Sequence, residues 1–306
     1  MALDRDARRA VVRQHHVRDL VFQVLGLLVM LVSLLVLAAL FGQLLIDGAG
    51  RIDGDFFSNF PSRRAHQAGI LTAFVGSMLV MLVTAVAAVP VGVAAGVWLE
   101  EYAPRNLLAE IVEINVTNLA GVPSIIYGLL ALGLLVYQLG LGESVLTAGL
   151  TLAMMILPVV IVATREAIRS VPQTIREAAY GVGSSRWQVT RHHVLPYSVA
   201  GILTGVIIGL SRAIGETAPI ITIGALTFIA FLPPPPLQSS APFVNFDWLA
   251  SPFTVMPIQM FNWISRPDAD FHANAAAAGV VLVVMTVAMN AVAIALRYRA
   301  RRRIKW

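Results

Sequence analysis

Two side chains of opposite charge, Arg212 and Glu216, lie four residues apart in a segment whose neighbours are otherwise largely apolar. Residues at this spacing share one face of a helix, so the two charges can pair. An ionisable residue within a membrane span costs at least ~2.5–3.5 kcal/mol unless it is sheltered. One interpretation is an ion pair that only neutralises two buried charges. The other is a guanidinium that binds two oxygens of a tetrahedral oxyanion, while the carboxylate keeps it from holding the anion too tightly.

Small residues accompany this pair on the same face of the predicted helix. At about 100° per residue, five residues of the segment fall within about 80° of one another: Gly201, Gly205, Gly209, Arg212 and Glu216. Small residues repeated every four positions let helices approach one another closely. We therefore expect this face to point into the helix bundle or toward a sister subunit rather than into lipid.

Other polar groups occur close to this pair or in an apolar segment upstream. Thr217 is predicted to donate a further hydrogen bond, and Pro219 to break the helix beyond it. Upstream, Gly121 and Pro123 predict local irregularity that opens backbone groups to a pathway. The polar residues around that point are Asn115, Thr117, Asn118, Ser124 and Tyr127. Ordinary hydrogen bonds between helices explain this upstream set equally well.

Two glutamates, Glu110 and Glu113, precede the irregular segment at the start of its predicted span. They are not accompanied by a nucleophile or by a cluster of metal ligands in the sequence. We expect both to be solvated or paired with arginines of a nearby loop rather than to be catalytic.

The elements that must position these residues are membrane spans. The chain has 306 residues, of which 58% are hydrophobic and 13% charged, and its mean hydropathy is +0.77. A spanning helix needs roughly 20 apolar residues, and windows of that size select residues 21–46, 70–98, 111–137, 145–163, 196–230 and 273–296. The sequence therefore predicts an all-α, polytopic membrane protein with six transmembrane helices. The first window is too long for a signal-peptide core, so we expect it to remain as an anchor.

The arginines predict which side of the membrane each loop occupies. Short segments rich in arginine and lysine are retained in the cytoplasm, and three such segments, at 5–18, 165–191 and 297–305, fall on one face if the chain crosses six times. Both termini are therefore predicted to be cytoplasmic. These clusters can also touch anionic lipid headgroups, and they give no reason to invoke nucleic acid.

Composition also excludes several kinds of chemistry. The chain contains no cysteine, which excludes disulfides, thiol catalysis and cysteine-ligated metals. Its six histidines lie in tails, in loops or on different helix faces, so no metal site is predicted. Its single lysine is Lys305, so the GxxxxGK[ST] phosphate loop cannot occur. The chain is therefore not expected to hydrolyse ATP by itself, and a membrane-embedded enzyme is the interpretation with least support.

A polar segment at 165–196 interrupts the apolar runs. Its start, stop and cap residues predict two short amphipathic helices joined by a glycine bend: Pro172, Gly181, Gly183 and Ser184 or Ser185. Pro196 is predicted to open the fifth span. By residue chemistry alone, an amphipathic connector lying on the membrane surface explains this segment as well as a docking element does.

The spacing within this hairpin resembles the EAA loop of ABC importer permeases. EAA is followed by three residues, a glycine, and then twelve residues before a proline; the matching positions are Glu177, Ala178, Ala179, Gly183, Leu195 and Pro196. The sequence differs at His193, where the family usually has an aliphatic residue. In that family the loop inserts into a groove of the ATPase subunit. The resemblance implies that small Ala178 and Ala179 allow close approach and that Glu177 offers a charge to this partner.

Five further stretches, 99–104, 118–128, 157–172, 201–221 and 253–277, are similar to the A-type membrane subunits of phosphate ABC importers. The resemblance covers roughly residues 70–300, and the run from Met256 to Phe271 distinguishes it from the C-type sister permeases. It implies a type I ABC importer permease (MetI-like) fold and no catalytic role. The implied partners are a C-type permease, two ATPase subunits that bind ATP and Mg, and a periplasmic phosphate-binding protein. The chain itself is expected to bind no cofactor or metal.

The resemblance also divides the chain and assigns its pathway. It implies an N-terminal part at 1–69 with the first span, a permease domain at 70–296 and a basic tail at 297–306. For this family the oxyanion interpretation is favoured, which predicts a substrate pathway along Arg212, Glu216, Thr217, Ser124 and Tyr127. The alternatives are a permease for sulfate or molybdate, and a secondary transporter or channel, which leaves the EAA hairpin unexplained.

The outer loop at 231–272 begins with a stiff polyproline segment and continues with several aromatic residues. Aromatic residues beside the outer interface usually anchor a protein in the membrane. Here they are predicted to be such anchors or to form part of the landing surface for the binding protein.

Overall fold

The computed structural model describes residues 5–104, 106–238 and 243–302, without the side chains of 5–14, 16, 17 and 300–302. Most of the basic side chains predicted at the two termini therefore lie outside the described residues. The α-helices are α1 (Arg5–Gly48), α2 (Gly54–Ser58), α3 (Leu71–Val97), α4 (Leu107–Leu119), α5 (Ser124–Ala131), α6 (Val145–Arg169), α7 (Gln173–Gly181), α8 (Arg186–Val189), α9 (Leu195–Ile214), α10 (Ala218–Thr222), α11 (Met256–Ile264) and α12 (Asp270–Arg302). This helical architecture confirms the predicted all-α class.

Among the described residues, five helical stretches are long and apolar enough to cross a membrane: Arg18–Arg51, Leu71–Tyr102, Val145–Arg169, Arg186–Ile214 and Asp270–Arg299. The predicted span at 111–137 is not one straight helix, because α4 and α5 meet at a bend of 107°. The bend lies at Gly121–Pro123, where irregularity was predicted. Pro123 has ψ 135°, an extended conformation that cannot continue a helix. A pair bent this sharply forms either a broken span or a re-entrant loop.

The predicted span at 196–230 is wrong at its C-terminal end, whereas Pro196 lies in the first turn of α9 as predicted. The helix continues without a break from Arg186 through a π-helical turn at Thr190–Val194 to Ile214. It ends at Ile214, with Gly215 as its C-cap four residues before Pro219, and not beyond Thr217 as predicted. A proline removes the hydrogen bond to the carbonyl four residues upstream and clashes with that carbonyl. Pro219 therefore ends α9 one helical turn upstream of its own position.

α6 is the centre of the bundle and packs against α3 and α9. Glycines let these helices approach closely. A Cβ placed on Gly92 would lie 2.7 Å from Val160 Cγ1, and one on Gly96 would lie 2.6 Å from Thr164 Cβ. On the other side, Gly201 of α9 faces Ala167 of α6 at 2.6 Å in the same construction. Gly205 and Gly209 continue this contact along α6. The small-residue face of α9 therefore points into the bundle, which confirms the prediction for these glycines.

α1 contacts the rest of the chain mainly along α12. Gly48 approaches the backbone of Ala277 so closely that a Cβ would lie 2.5 Å from its nitrogen. The most apolar part of α1 has no buried residue. Beyond α1, the guanidinium of Arg51 donates to Asn274 Oδ1 at 2.9 Å and to the Ala68 carbonyl at 2.9 Å. These bonds fasten the loop between α1 and α3 onto the start of α12, at the end of the bundle opposite the hairpin.

Candidate functional site

The charged pair lies at the end of α9. Arg212 Nε donates to Glu216 Oε1 at 3.2 Å. The pair crosses the helix end at Gly215, so Glu216 does not continue the glycine face of α9, contrary to the prediction. The Arg212 side chain is 42% exposed and that of Glu216 is 18% exposed. Within the described residues, Glu216 is the only hydrogen-bond partner of this guanidinium, which leaves its two terminal nitrogens open to a ligand.

Tyr127 lies close to the charged pair. It is buried, and its hydroxyl donates to the Leu119 carbonyl at 2.8 Å across the bend between α4 and α5. The next residue, Gly128, faces Pro219 of α10 so closely that a Cβ would lie 2.7 Å from its Cα. Two helix breaks, one after α9 and one after α4, therefore lie side by side.

The remaining predicted pathway residues differ in their positions. Thr217 is half-buried directly after Glu216, and Ser124 is half-buried at the first position of α5. Asn115 donates to the Ile111 carbonyl at 2.7 Å and Thr117 to the Glu113 carbonyl at 3.0 Å, both within α4. Their side chains therefore do not join α4 to another helix of this chain. α4 has no buried residue, so these polar groups face outward from the chain.

The polar hairpin forms as predicted, with one difference in connectivity. α7 follows Pro172, and Gly183 adopts φ +84°, a left-handed conformation that favours glycine. Ser185 caps α8 by accepting from Gln188 N, while Gln188 Oε1 accepts from Ser185 N at 2.8 Å. This reciprocal pair is a capping box. Because α8 continues into α9, the second arm of the hairpin is an extension of the spanning helix and not a separate surface helix.

The matched EAA positions divide between two faces of the hairpin. Glu177 and Ala178 are exposed, whereas Ala179 is 5% exposed and packs with Val189 and Val194 on the inner face. Leu195 is half-buried and Pro196 exposed at the start of α9, and Gly183 is exposed at the bend. Ala178 is therefore the alanine available to a partner, while Ala179 allows the two arms of the hairpin to pack.

The exposed residues at the end of the hairpin, which we call the hairpin tip, include large apolar side chains that were not predicted as part of a site. They are Glu177, Ala178, Tyr180, Val182 and Trp187. Val182 is 83% exposed and Trp187 57% exposed. Large apolar residues at the end of a polar hairpin are typical of an interaction surface. Their position beside Gly183 was the available signal in the sequence.

Four charged residues form a closed ring beside the hairpin. Arg165 Nη2 lies 2.6 Å from Glu113 Oε1, and Arg165 Nε lies 3.5 Å from Glu100 Oε2. Arg169 lies 3.0 Å from Glu100 and 3.6 Å from Glu113. The charge ring, defined as Glu100, Glu113, Arg165 and Arg169, joins the end of the α3 stretch, α4 and α6. Glu113 is paired with arginines as expected, although Arg165 and Arg169 lie in α6 and not in a loop. No spacing in the sequence indicated Glu100 as their second partner.

A second ion pair fastens the hairpin to the bundle. Arg176 Nη2 donates to Glu101 Oε1 at 2.9 Å and to the Ile168 carbonyl at 2.9 Å, and Nη1 donates to the Val171 carbonyl at 2.7 Å. Both side chains are largely buried, at 12% exposure for Arg176 and 7% for Glu101. Arg176 thus connects the first arm of the hairpin to α6 and to the π-helical turn Trp98–Tyr102 that extends α3.

Two polar cavities adjoin these ion pairs. One of ≈ 590 Å³ is lined by the charge ring together with Asn106 and Glu110 of the α4 region. The other, of ≈ 530 Å³, lies between the charge ring and the hairpin and is lined by Arg176 and Tyr180 among others. Among the described residues, no group of three or more His, Asp or Glu side chains is placed to hold a metal ion.

Comparisons with known proteins agree on one kind of molecule. Residues 88–306 match the family model described as "Binding-protein-dependent transport system inner membrane component". The chain is 32% identical over 275 residues to the phosphate transport system permease protein PstA of Xylella fastidiosa (strain Temecula1 / ATCC 700964), covering 85% of this chain and 90% of that protein. It is 29% identical over 260 residues to the probable ABC transporter permease protein YqgI of Bacillus subtilis (strain 168), covering 83% and 86%.

A solved structure supports the same fold. The inward-facing MetNI methionine ABC transporter matches with a TM-score of 0.56 and 17% sequence identity, covering 74% of this chain and 94% of that chain. This likeness concerns the fold alone, and it confirms the predicted MetI-like architecture.

Proposed function

The chain belongs to the family of binding-protein-dependent transport system inner membrane components, and from that premise we propose that it is a permease subunit of a phosphate importer. As a member of this family it is a non-catalytic, multi-pass membrane subunit of an ABC importer. The proposal concerns the cargo, the partners that assemble with the chain and the residues that serve transport. Several relatives that are about 30% identical over most of the chain carry the name phosphate transport system permease.

The observation that carries the proposal is the position of Arg212. Its guanidinium is fixed at one nitrogen by Glu216 and open at the others, beside two helix breaks. Irregular backbone at membrane depth is tolerated where it lines a cavity or a pathway. Arginine binds two oxygens of a phosphate at once and stays protonated. In this proposal Arg212 binds the anion during transport, and Glu216 weakens that binding, because a transported ion must also be released.

Thr217, Ser124 and Tyr127 complete the proposed pathway. Thr217 and Ser124 supply hydroxyl donors next to the two breaks. Tyr127 spans the bend of α4 and α5 through its bond to Leu119, so it holds the shape of the break. Sulfate or molybdate would meet the same donors, which makes these oxyanions the alternative cargo.

The hairpin tip is proposed to dock into a groove of an ATPase subunit. Its exposed Glu177, Ala178 and Trp187 supply a charge, a point of close approach and an apolar anchor. ATP and Mg would be bound by the two ATPase subunits and not by this chain. A C-type permease would pair with this chain around the pathway, and a periplasmic binding protein would deliver phosphate. A secondary transporter or channel works without an ATPase and therefore does not require a docking surface of this kind.

The arrangement in the membrane follows from the arginines. The hairpin is proposed to face the cytoplasm, as are both termini, in the inner (cytoplasmic) membrane. The antiparallel contact of α1 with α12 agrees with termini on one side. The division of the chain at residues 69 and 296 stays a prediction.

Radiolabelled phosphate uptake tests this proposal in cells that lack the chain. Wild type is expected to restore uptake at low external phosphate, and excess sulfate or molybdate should not suppress it. Arg212→Ala at matched membrane levels should restore little, whereas Arg63→Ala, a change of an exposed arginine in the outer loop, should restore uptake fully. Normal transport by Arg212→Ala would refute the pathway assignment. Suppression by sulfate or molybdate would refute phosphate as the specific cargo.

Copurification separates an ABC importer from a channel or secondary transporter. The complete complex, extracted in mild detergent through a tag on this chain, should contain an ATPase whose hydrolysis is stimulated by phosphate-loaded binding protein. Uptake by this chain with no ATPase attached would contradict the proposed coupling.

A further inference from the structure

The charge ring connects α4, which carries the proposed pathway bend, to the helix that bears the hairpin. α4 has no buried residue, and within the described residues its contacts are chiefly with α6. It is flanked by Pro104 on one side and by the bend at Gly121–Pro123 on the other. α4 is therefore a short rigid segment between two breaks, with little apolar packing to fix its position in this chain.

The ring supplies the attachment that packing does not. Glu113 of α4 is ion-paired with both arginines of α6, at 2.6 Å from Arg165 and 3.6 Å from Arg169. The cavity of ≈ 590 Å³ is lined by residues of α4 and of the α3 extension together with the two arginines. A charged bridge of this kind has directional partners, so it transmits displacement of one helix to the other where loose apolar contacts would slide.

The same arginines lie at the base of the hairpin. Arg169 is the last residue of α6, and α7 begins four residues later. Two adjacent residues of the π-helical turn, Glu100 and Glu101, divide their bonds: Glu100 pairs with Arg165 and Arg169, while Glu101 pairs with Arg176 of the hairpin. A π-helical turn within a longer helix is a feature often found at functional sites. One turn of backbone therefore connects the charge ring to the hairpin.

We propose that the charge ring is the mechanical link between the hairpin and the pathway, so that Glu113 and Arg165 are positioning residues of the transport cycle. When an ATPase moves the hairpin, α6 and the π-helical turn move with it, and Glu113 carries α4 along. Displacement of α4 then changes the bend at Gly121–Pro123 and the setting of Tyr127 beside Arg212. The inference rests on the proposed docking of the hairpin tip and is independent of which oxyanion is carried.

The test compares two glutamates that both pair with Arg169, in the complete importer reconstituted in liposomes. Glu113→Gln removes the bridge between α4 and α6. Glu166→Gln is the matched control, because Glu166 pairs with Arg169 at 3.5 Å on α6 itself and does not reach α4. The measured quantity is the number of phosphate ions imported per ATP hydrolysed. We expect Glu113→Gln to hydrolyse ATP while this ratio falls about tenfold, a size typical of the coupling between two linked sites, and Glu166→Gln to keep the wild-type ratio.

A distance measurement tests the link without reference to cargo. The chain has no cysteine, so spin labels can be placed at Leu108→Cys on α4 and Thr174→Cys on α7. Both positions are exposed and lie outside the hairpin tip and the charge ring. In wild type we expect one narrow distance that is the same in the nucleotide-free and vanadate-trapped complexes. In Glu113→Gln the distribution should broaden or shift between the two states.

Three results would overturn the proposal. The first is a Glu113→Gln complex that has the wild-type ratio of phosphate imported per ATP and the wild-type label distances. The second is an equal loss of ATP hydrolysis and of transport in Glu113→Gln, with unchanged distances. The third is a wild-type distance that changes between the nucleotide-free and vanadate-trapped states as much as that of the variant. If the Glu113→Gln complex does not assemble, Glu113→Asp is used instead, because it keeps the charge. We expect Glu113→Asp to import an intermediate number of phosphate ions per ATP. A wild-type number in Glu113→Asp would also contradict the link. Failure of wild type to import phosphate would refute the proposed cargo alone, because the distances need nucleotide but no cargo.

Discussion

Replacement of Arg176 by alanine is expected to release the hairpin from the bundle while the spans stay folded. The change removes the buried ion pair with Glu101 and the two bonds to the carbonyls of Ile168 and Val171. Removing one partner of a buried ion pair typically costs ~3–5 kcal/mol, because the other charge stays buried and unpaired. The polar cavity beside Arg176 lets water approach Glu101, which favours the lower end of that range.

The expected magnitude gives a measurable change in hairpin opening. A loss of about 3 kcal/mol corresponds to a roughly hundredfold rise in the equilibrium constant for local opening, since each 1.4 kcal/mol is about a factor of ten. Hydrogen exchange measured by mass spectrometry in nanodiscs reports this constant for peptides covering 172–194. Exchange in α3 and α6 should stay at the wild-type level. Arg191→Ala, at an exposed position of the same hairpin, is the control and should change nothing.

A double variant distinguishes a buried ion pair from a general packing effect. Arg176→Met with Glu101→Met replaces both charges by apolar side chains, and such replacements are often close to neutral. We expect it to recover most of the protection lost in Arg176→Ala. Unchanged exchange in Arg176→Ala, or a double variant that exchanges as fast as the single one, would refute this account of how the hairpin is held.

Three further changes test the packing, the bend and the tip. Gly205→Leu places a side chain against α6 where a Cβ alone would already overlap, so it should lower the melting temperature of the purified chain, while Gly26→Leu, with open space around it, should not. Gly183→Ala forces an L-residue to φ +84° and should destabilise the hairpin by about 1–2 kcal/mol in the same exchange assay, whereas Gly181→Ala should have little effect. Trp187→Ala should weaken capture of the ATPase in pull-downs without a change in melting temperature, and normal capture would exclude the tip as an anchor.

The features that could be predicted from the sequence are those set by local chemistry. Glycine, proline and serine at fixed offsets predicted the two arms of the hairpin, and the structure places the N-cap of α8 at Ser185 and a left-handed glycine at Gly183. Repeated glycines predicted the face of α9 that packs on α6. In each case the signal and its effect lie within a few residues of one another.

The features that could not be predicted depend on contacts distant in sequence. Hydropathy is averaged over about 20 residues, so it predicted α4 and α5 as one span and placed the end of the fifth span beyond Gly215. The end of α9 could have been predicted from Pro219, because a proline prevents the helical hydrogen bond to the carbonyl four residues upstream. Glu100 and Arg165 are 65 positions apart, and no spacing indicates that they meet across two helices. The burial of Ala179 likewise depends on Val189 and Val194, which reach it only when the hairpin closes.

The position of Arg212 in the last turn of α9 bears on how an anion could be held and still released. The carbonyls at a helix C-terminus carry a partial negative charge that attracts a nearby cation. Arg212 is therefore stabilised by the helix end as well as by Glu216, and both reduce the positive potential that an anion experiences. Because Pro219 fixes the helix end at Gly215, it also fixes this arrangement. If this reasoning is correct, Glu216→Gln should strengthen anion binding and slow release, so uptake would saturate at lower phosphate with a lower maximal rate. A variant that lost both affinity and rate would instead show that Glu216 serves to orient the arginine.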